Sequence, residues 1–138
     1  MMWITFIDDR VNEWKATIPT GIAAQLDWSV ESLSVLEKYI LNTYQFETAY
    51  VSENKQDIDA IASYIGEVYR KHIPNATWYM ELDIKTDIDF GRPVVRTGIG
   101  AAFSPYPMVL NVLYEKKGQL LIELYKLKTA HMREHGMM

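Results

Sequence analysis

Residues 57–84, DIDAIASYIGEVYRKHIPNATWYMELDI, change their hydrophobic period once, at Pro74-Asn75. Before that turn, Ile58, Ile61, Ala62, Ile65, Tyr69 and His72 recur on one face at the 3.6-residue period of an amphipathic helix. After it, Trp78, Met80, Leu82 and Ile84 alternate with Thr77, Tyr79, Glu81 and Asp83, the two-residue period of a half-buried strand. A helix and a strand with one apolar face each must bury those faces against a second layer, which points to helices packed on a sheet. Glu67 and Lys71 stand opposite the apolar stripe, spaced i to i+4, and are expected to form an exposed ion pair. Gly66 costs about 1 kcal/mol relative to alanine in a helix interior. On the flank of the stripe it is expected to admit a closely packed neighbour, and Trp78 to anchor the strand in the core.

The rest of the chain supplies the partners. Trp3, Phe6, Ile7, Val11, Trp14 and Ile18 predict a first helix ending before Pro19, with Thr20–Gln25 as one further turn capped by Thr20. In LDWSVESLSVLEKYILNTY, Val30, Leu33, Leu36, Ile40 and Tyr44 form a stripe that Glu37 interrupts. Ser29 is placed to cap this helix, Glu31 to favour its first turn, and Trp28 to staple onto Leu33 or a neighbour. Residues 45–56 lose the period and read as a loop.

KTDIDFGR reads as a turn, and RPVVRT as a second strand antiparallel to the first, at an edge because Pro93 has no N–H for the ladder. GIGAAF either extends the sheet or crosses over. Beyond Ser104-Pro105, Val109, Val112 and Leu113, then Leu120, Leu124, Leu127 and His131, fit two helices joined near Gly118. VLNVLYEKKGQLLIELY also fits a hairpin turning at Lys117-Gly118, but the pattern runs on past Lys128, longer than a strand needs. The expected class is α+β in the order α-α-α-β-β-α-α, with helices on a small two- or three-stranded antiparallel sheet and residues 1–138 as a single globular domain.

Composition narrows the function classes. Apolar residues make up 49% and charged residues 23% of 138, values of a folded globular chain. Net charge is −4 with no Lys/Arg cluster, so phosphate-backbone binding lacks its electrostatic source and no nucleic-acid partner is expected. The absence of cysteine excludes disulfides, thiol nucleophiles and thiolate metal sites. MMWITFIDDR lacks the basic start and apolar core of a secretion signal, and no apolar run reaches the roughly 18–20 residues of a membrane span. The expectation is a cytoplasmic protein without a membrane partner.

Three pieces occur together: LDWSVESLSVLEKYIL at 26–41, SYIGEVYRKHIPNATWYMEL at 63–82, and GRPVVRTG at 91–98 followed by SPYPMVL at 104–110. This combination resembles a family of small, largely uncharacterised bacterial proteins with a serine-led Leu-x-x-Leu-Glu helix, a Tyr-Ile-Gly-Glu helix, a tryptophan strand and a proline strand. The likeness covers about two-thirds of the chain, and Pro74-Asn75-Ala76 stands where that pattern would place a glycine. The resemblance implies a bacterial cytosolic α+β domain and carries no activity with it.

Chemical constellations are sparse. His131 and His135 share a helix face at a spacing that can hold zinc, but Met132 and Arg133 follow where a metalloprotease places its glutamate, and His72 is remote. Histidines near a helix C-terminus are more simply explained by the dipole. Asp83, Asp87 and Asp89 near Gly91 miss the EF-hand spacing and read as turn formers. Asp89-Phe90-Gly91 lacks every other kinase element, and Gly98-x-Gly100 is half a dinucleotide fingerprint. Ser29, Ser32 and Ser34 have no surrounding G-x-S-x-G and suit capping and an exposed face. No catalytic residue, metal site or cofactor is expected.

Two readings of function follow. The first is a non-enzymatic protein acting by protein–protein contact, immunity-type or regulatory, its partner a second protein or another copy of itself. The mild acidity and the surplus of nine tyrosines and four tryptophans motivate it, since both residue types are enriched at interfaces. The second is a small-molecule-binding or hydrolytic domain with its pocket between sheet and helices. Glu67, Trp78, Glu81, Arg92 and Arg96 are the candidate binding residues.

Overall fold

The computed structural model describes residues 7–49, 51–80, 82, 85–86, 93–97 and 102–136. Helices α1 (Ile7–Lys15), α2 (Thr20–Gln25), α3 (Ser32–Thr43) and α4 (Lys55–His72) precede strands β1 (Thr77–Met80) and β2 (Pro93–Arg96). Helices α5 (Pro105–Glu115) and α6 (Leu120–Glu134) follow. The class is α+β, as the two periods predict. Pro19 occupies the capping position of α2, so Thr20–Gln25 is a short helix in its own right and Thr20 lies inside it. The 45–56 loop contains two 3-10 turns, Phe46–Thr48 and Ser52–Asn54, and α4 starts two residues before Asp57.

The sheet is the expected antiparallel pair, with Trp78 opposite Val95 and Met80 opposite Pro93. Pro93 opens β2, the position a strand tolerates for a residue without an N–H. The other flank of β2 is not bare, however. Val95 and Phe103 exchange both backbone hydrogen bonds at 2.8 Å, so the chain after the second strand does extend the sheet, by one bridge. β1 ends at Met80; Leu82 is exposed rather than core-facing, and Glu81, Asp83 and Ile84 lie outside the described residues.

At the centre is α4, against which α1, α5 and both strands pack. Its residues 60–69 are buried without a break, on every face of the helix. Small side chains at Ala60, Ala62, Ser63 and Gly66 let neighbours approach flanks that the apolar stripe alone would leave to solvent. Gly66 is the tightest point: a Cβ there would lie 2.1 Å from Trp78 Cη2 and 3.1 Å from Pro105 Cγ. The expected close packing at Gly66 is present, and its partner is the half-buried indole of the following strand. His72, assigned by its spacing to the buried face, is exposed at the end of α4, with Nε2 2.7 Å from the carbonyl of Trp28.

The serine at 29 acts as a cap from the turn ahead of α3, its Oγ accepting the N–H of Ser32. Trp28 packs half-buried against the core from that turn. At φ 68° it turns back and stacks on Tyr64 of α4, ring centroids 4.7 Å apart, while its N–H donates to the Tyr64 hydroxyl at 2.9 Å.

The two-helix reading of the last third holds, with Lys116 in the left-handed conformation ending α5. Of the expected face of α6, Leu120 is buried and Leu124 packs half-buried against the core, but the buried stripe then runs through Leu121, Tyr125, Thr129 and Met132, leaving Leu127 67% exposed. Two contacts set that stripe. Tyr125 meets Tyr69 edge-on at 5.2 Å. The carboxylate of Glu37, itself 0% exposed, accepts the N–H groups of Leu120 at 3.0 Å and Leu121 at 2.7 Å. Gln119 caps nothing with its side chain, so Glu37 satisfies from another helix the donors that the start of α6 leaves open.

Candidate functional site

Glu67 and Trp78 are the two candidate residues that the fold brings together. Glu67 was expected in solvent beside Lys71, yet it is 3% exposed, because β1 brings Trp78 over the flank of α4 on which it lies. Trp78 Nε1 donates to Glu67 Oε1 at 2.9 Å. Arg70, one turn on, forks both oxygens, Nε to Oε1 and Nη2 to Oε2 at 3.1 Å. The Lys71 ammonium lies 3.9 Å from Oε2, so the i,i+4 pair exists with its acid buried. Burial pushes the carboxyl pKa up and is the largest single influence; the hydrogen bonds from Arg70 and Trp78 and the charges of Arg70 and Lys71 together outweigh it, leaving Glu67 below the usual glutamate range.

The sign of the pH dependence follows. A lowered folded-state pKa gives stability that is present above the unfolded value, about 4.3, and lost as pH falls through the lower folded value. Denaturation midpoints measured from neutral pH downward are expected to fall in that acid window. Glu67→Gln should flatten the slope; an unchanged slope in that variant would show that Glu67 is not the group responsible.

This cluster floors a pocket of about 420 Å³ between α1, α4 and β1, lined also by Ile7, Asp8, Asp9, Ala76 and Thr77. Both oxygens of Glu67 are engaged by fixed donors, so the group is held as a structural anion rather than poised as a base. Arg96 is not among the lining residues; it lies on β2 with its guanidinium carbon 3.3 Å from the centroid of the Tyr79 ring. Glu81 and Arg92 lie outside the described residues.

Two further depressions were not foreseen. One, of about 580 Å³, gathers Asp9 and Glu13 of α1 with Asp57 and Asp59 of α4, beside Arg10 and Trp14. Asp57 accepts the Tyr44 hydroxyl at 3.0 Å and Asp59 that of Tyr106. Burial first, and the Asp57 charge second, push the Tyr44 hydroxyl above the usual tyrosine value. The signal in the sequence was the acid at i and i+4 on α1 facing the acid at i and i+2 on α4. The other depression, of about 490 Å³, lies between the ends of α3 and α5 and is lined by Leu41, Tyr44, Gln45, Phe46, Glu47, Leu113 and Lys116. Beside it Phe46 and Tyr114 stand in contact, ring centroids 5.5 Å apart, yet 42% and 73% exposed.

His131, in the last turn of α6, and His135, just past its end, have ring centroids 4.4 Å apart, and His135 Nδ1 lies 2.9 Å from the His131 carbonyl. Among the described residues no three His, Cys, Asp or Glu side chains are grouped to hold a metal ion. None of the described helices is long and apolar enough to cross a membrane. No family model, no curated protein and no solved structure matches this chain.

Proposed function

We propose that this is a non-enzymatic protein that works by protein–protein contact, its contact face built on Phe46 and Tyr114. The observation that supports the reading is that aromatic pair, placed in solvent beside a groove of mixed polar and apolar lining while most aromatic rings of the helical layer are packed inward. Large aromatics at the centre of a patch are the residues that dominate interface energetics. An immunity-type or regulatory role suits a chain of net charge −4 that would meet a basic target. The test is to place a photo-crosslinking phenylalanine analogue at position 114 of the full chain and irradiate cells of the native host. A discrete adduct that Phe46→Ser abolishes is the expected result; no adduct above that of a surface control position overturns the reading.

A second reading has its own observation, the 420 Å³ pocket with the half-exposed guanidinium of Arg70 at its wall. In it the protein binds a small molecule between sheet and helices. A ligand panel that shifts the melting temperature of the wild type but not of Glu67→Gln would favour it, and a flat response would remove it.

A further inference from the structure

We propose that the acidic depression between α1 and α4 binds a small organic cation that carries an oxygen acceptor beside its amine, the chemistry of an amino sugar. The site is separate from the Phe46–Tyr114 face and does not depend on the contact reading. Asp9 and Glu13 stand at i and i+4 on α1, and Asp57 and Asp59 at i and i+2 near the start of α4. Four carboxylates thus meet one guanidinium, that of Arg10, around a cavity of about 580 Å³. That volume lies within the roughly 300–1,000 Å³ of small-molecule sites. A concavity lined by one sign of charge focuses a potential that draws in the opposite ion. Asp57 and Asp59 each accept a tyrosine hydroxyl on one oxygen, which fixes their place without neutralising them.

Charge alone would suit any cation. The second observation comes from Trp14, which lines the same depression. Its side chain is 4% exposed, and its Nε1 is the one buried side-chain nitrogen or oxygen among the described residues without a hydrogen-bond partner. Buried N–H groups are normally paired, and leaving one without an acceptor is costly. Tyr39, the ring packed edge-on against the indole at 5.9 Å, takes no hydrogen bond from it. The depression is the side from which an acceptor outside the chain can approach. A bare metal ion does not meet both demands: it has no lone pair to offer the indole, and no three acids among the described residues are grouped to hold one. An alkylamine satisfies the carboxylates and leaves Nε1 unpaired; a neutral sugar does the reverse. An ammonium with an oxygen on the neighbouring carbon does both, its N–H groups donating to the carboxylates while the oxygen accepts from Nε1.

Titration of the isotopically labelled full chain, followed by NMR at the Trp14 indole N–H resonance, tests the proposal. Glucosamine in its ammonium form is expected to move that resonance saturably, as a new hydrogen bond does. Glucose, which lacks the charge, and cyclohexylamine, which lacks the oxygen, should each bind at least about ten-fold more weakly. Asp9→Asn combined with Glu13→Gln, both at exposed positions, should raise the glucosamine dissociation constant about ten-fold at an unchanged melting temperature. No saturable movement with glucosamine overturns the proposal, and so does an equal response to glucose or to cyclohexylamine. A response that survives the double variant places the ligand elsewhere and overturns it as well. A lysine-bearing peptide that moves the resonance where glucosamine does not gives the depression to a protein partner and removes the small molecule.

Discussion

Gly66→Ala is expected to destabilise the protein by about 1–3 kcal/mol, the range for overpacking a well-filled site. Helix propensity alone predicts the opposite, a gain of about 1 kcal/mol for alanine in a helix interior. The geometry decides between them. The added methyl would sit 2.1 Å and 2.4 Å from the Cη2 and Cζ2 atoms of Trp78 and 3.1 Å from Pro105 Cγ, so something has to move. The indole is rigid and its Nε1 is bonded to the buried carboxylate of Glu67, so swinging it away also breaks that bond. Urea denaturation of the single and double variants separates the terms. Trp78→Phe deletes the two clashing carbons, and in that background Gly66→Ala should become neutral or stabilising. If Gly66→Ala stabilises the wild-type chain, the close approach of Trp78 to α4 is wrong.

Glu37→Ala should be the more damaging change, on the order of 3–5 kcal/mol. It orphans two buried N–H groups, each carrying a desolvation penalty of about 1–3 kcal/mol, and it leaves a cavity besides. Against a total stability of about 5–15 kcal/mol for a domain, that is a large fraction. Glu37→Gln keeps the shape and one carbonyl acceptor but turns an NH₂ toward the second donor, so about 1.5–3 kcal/mol is expected. The ordering of the two variants is the informative result. Equal losses below 1 kcal/mol would mean that the start of α6 does not depend on this carboxylate. Amide exchange adds a local readout: Leu120 and Leu121 should lose protection before the interior of α4 does.

Both sites show where reading from sequence works and where it stops. The change of period at Pro74-Asn75 was sufficient for α4, β1 and the packing role of Gly66, because each is a local pattern backed by burial. The C-terminal half of α6 was not legible in this way, since Leu127–His131 and Tyr125–Thr129–Met132 continue adjacent stripes of one helix, and only the second is buried. The choice between them is made by Tyr69 and Glu37, far away in the chain. Glu67 was placed in solvent by a helical wheel that assumes one buried face. The run of small residues at 60, 62, 63 and 66 was the sign that α4 has more than one. Glu37 was visible as the interruption of an apolar stripe, and a carboxylate in that position is a request for donors whose source no local pattern reveals. The Phe46–Tyr114 face joins a turn after α3 to the end of α5, so it exists only once those elements are docked.

The bond from Glu37 to the start of α6 spans 83 residues of chain, and that separation has a consequence during synthesis. At a translation rate of about 5–20 residues per second, roughly 4–17 seconds pass between the making of α3 and the making of its donors. Throughout that interval the apolar stripe of α3 carries an unanswered carboxylate. Burying α3 in that interval would cost the desolvation of a carboxylate that has no donors.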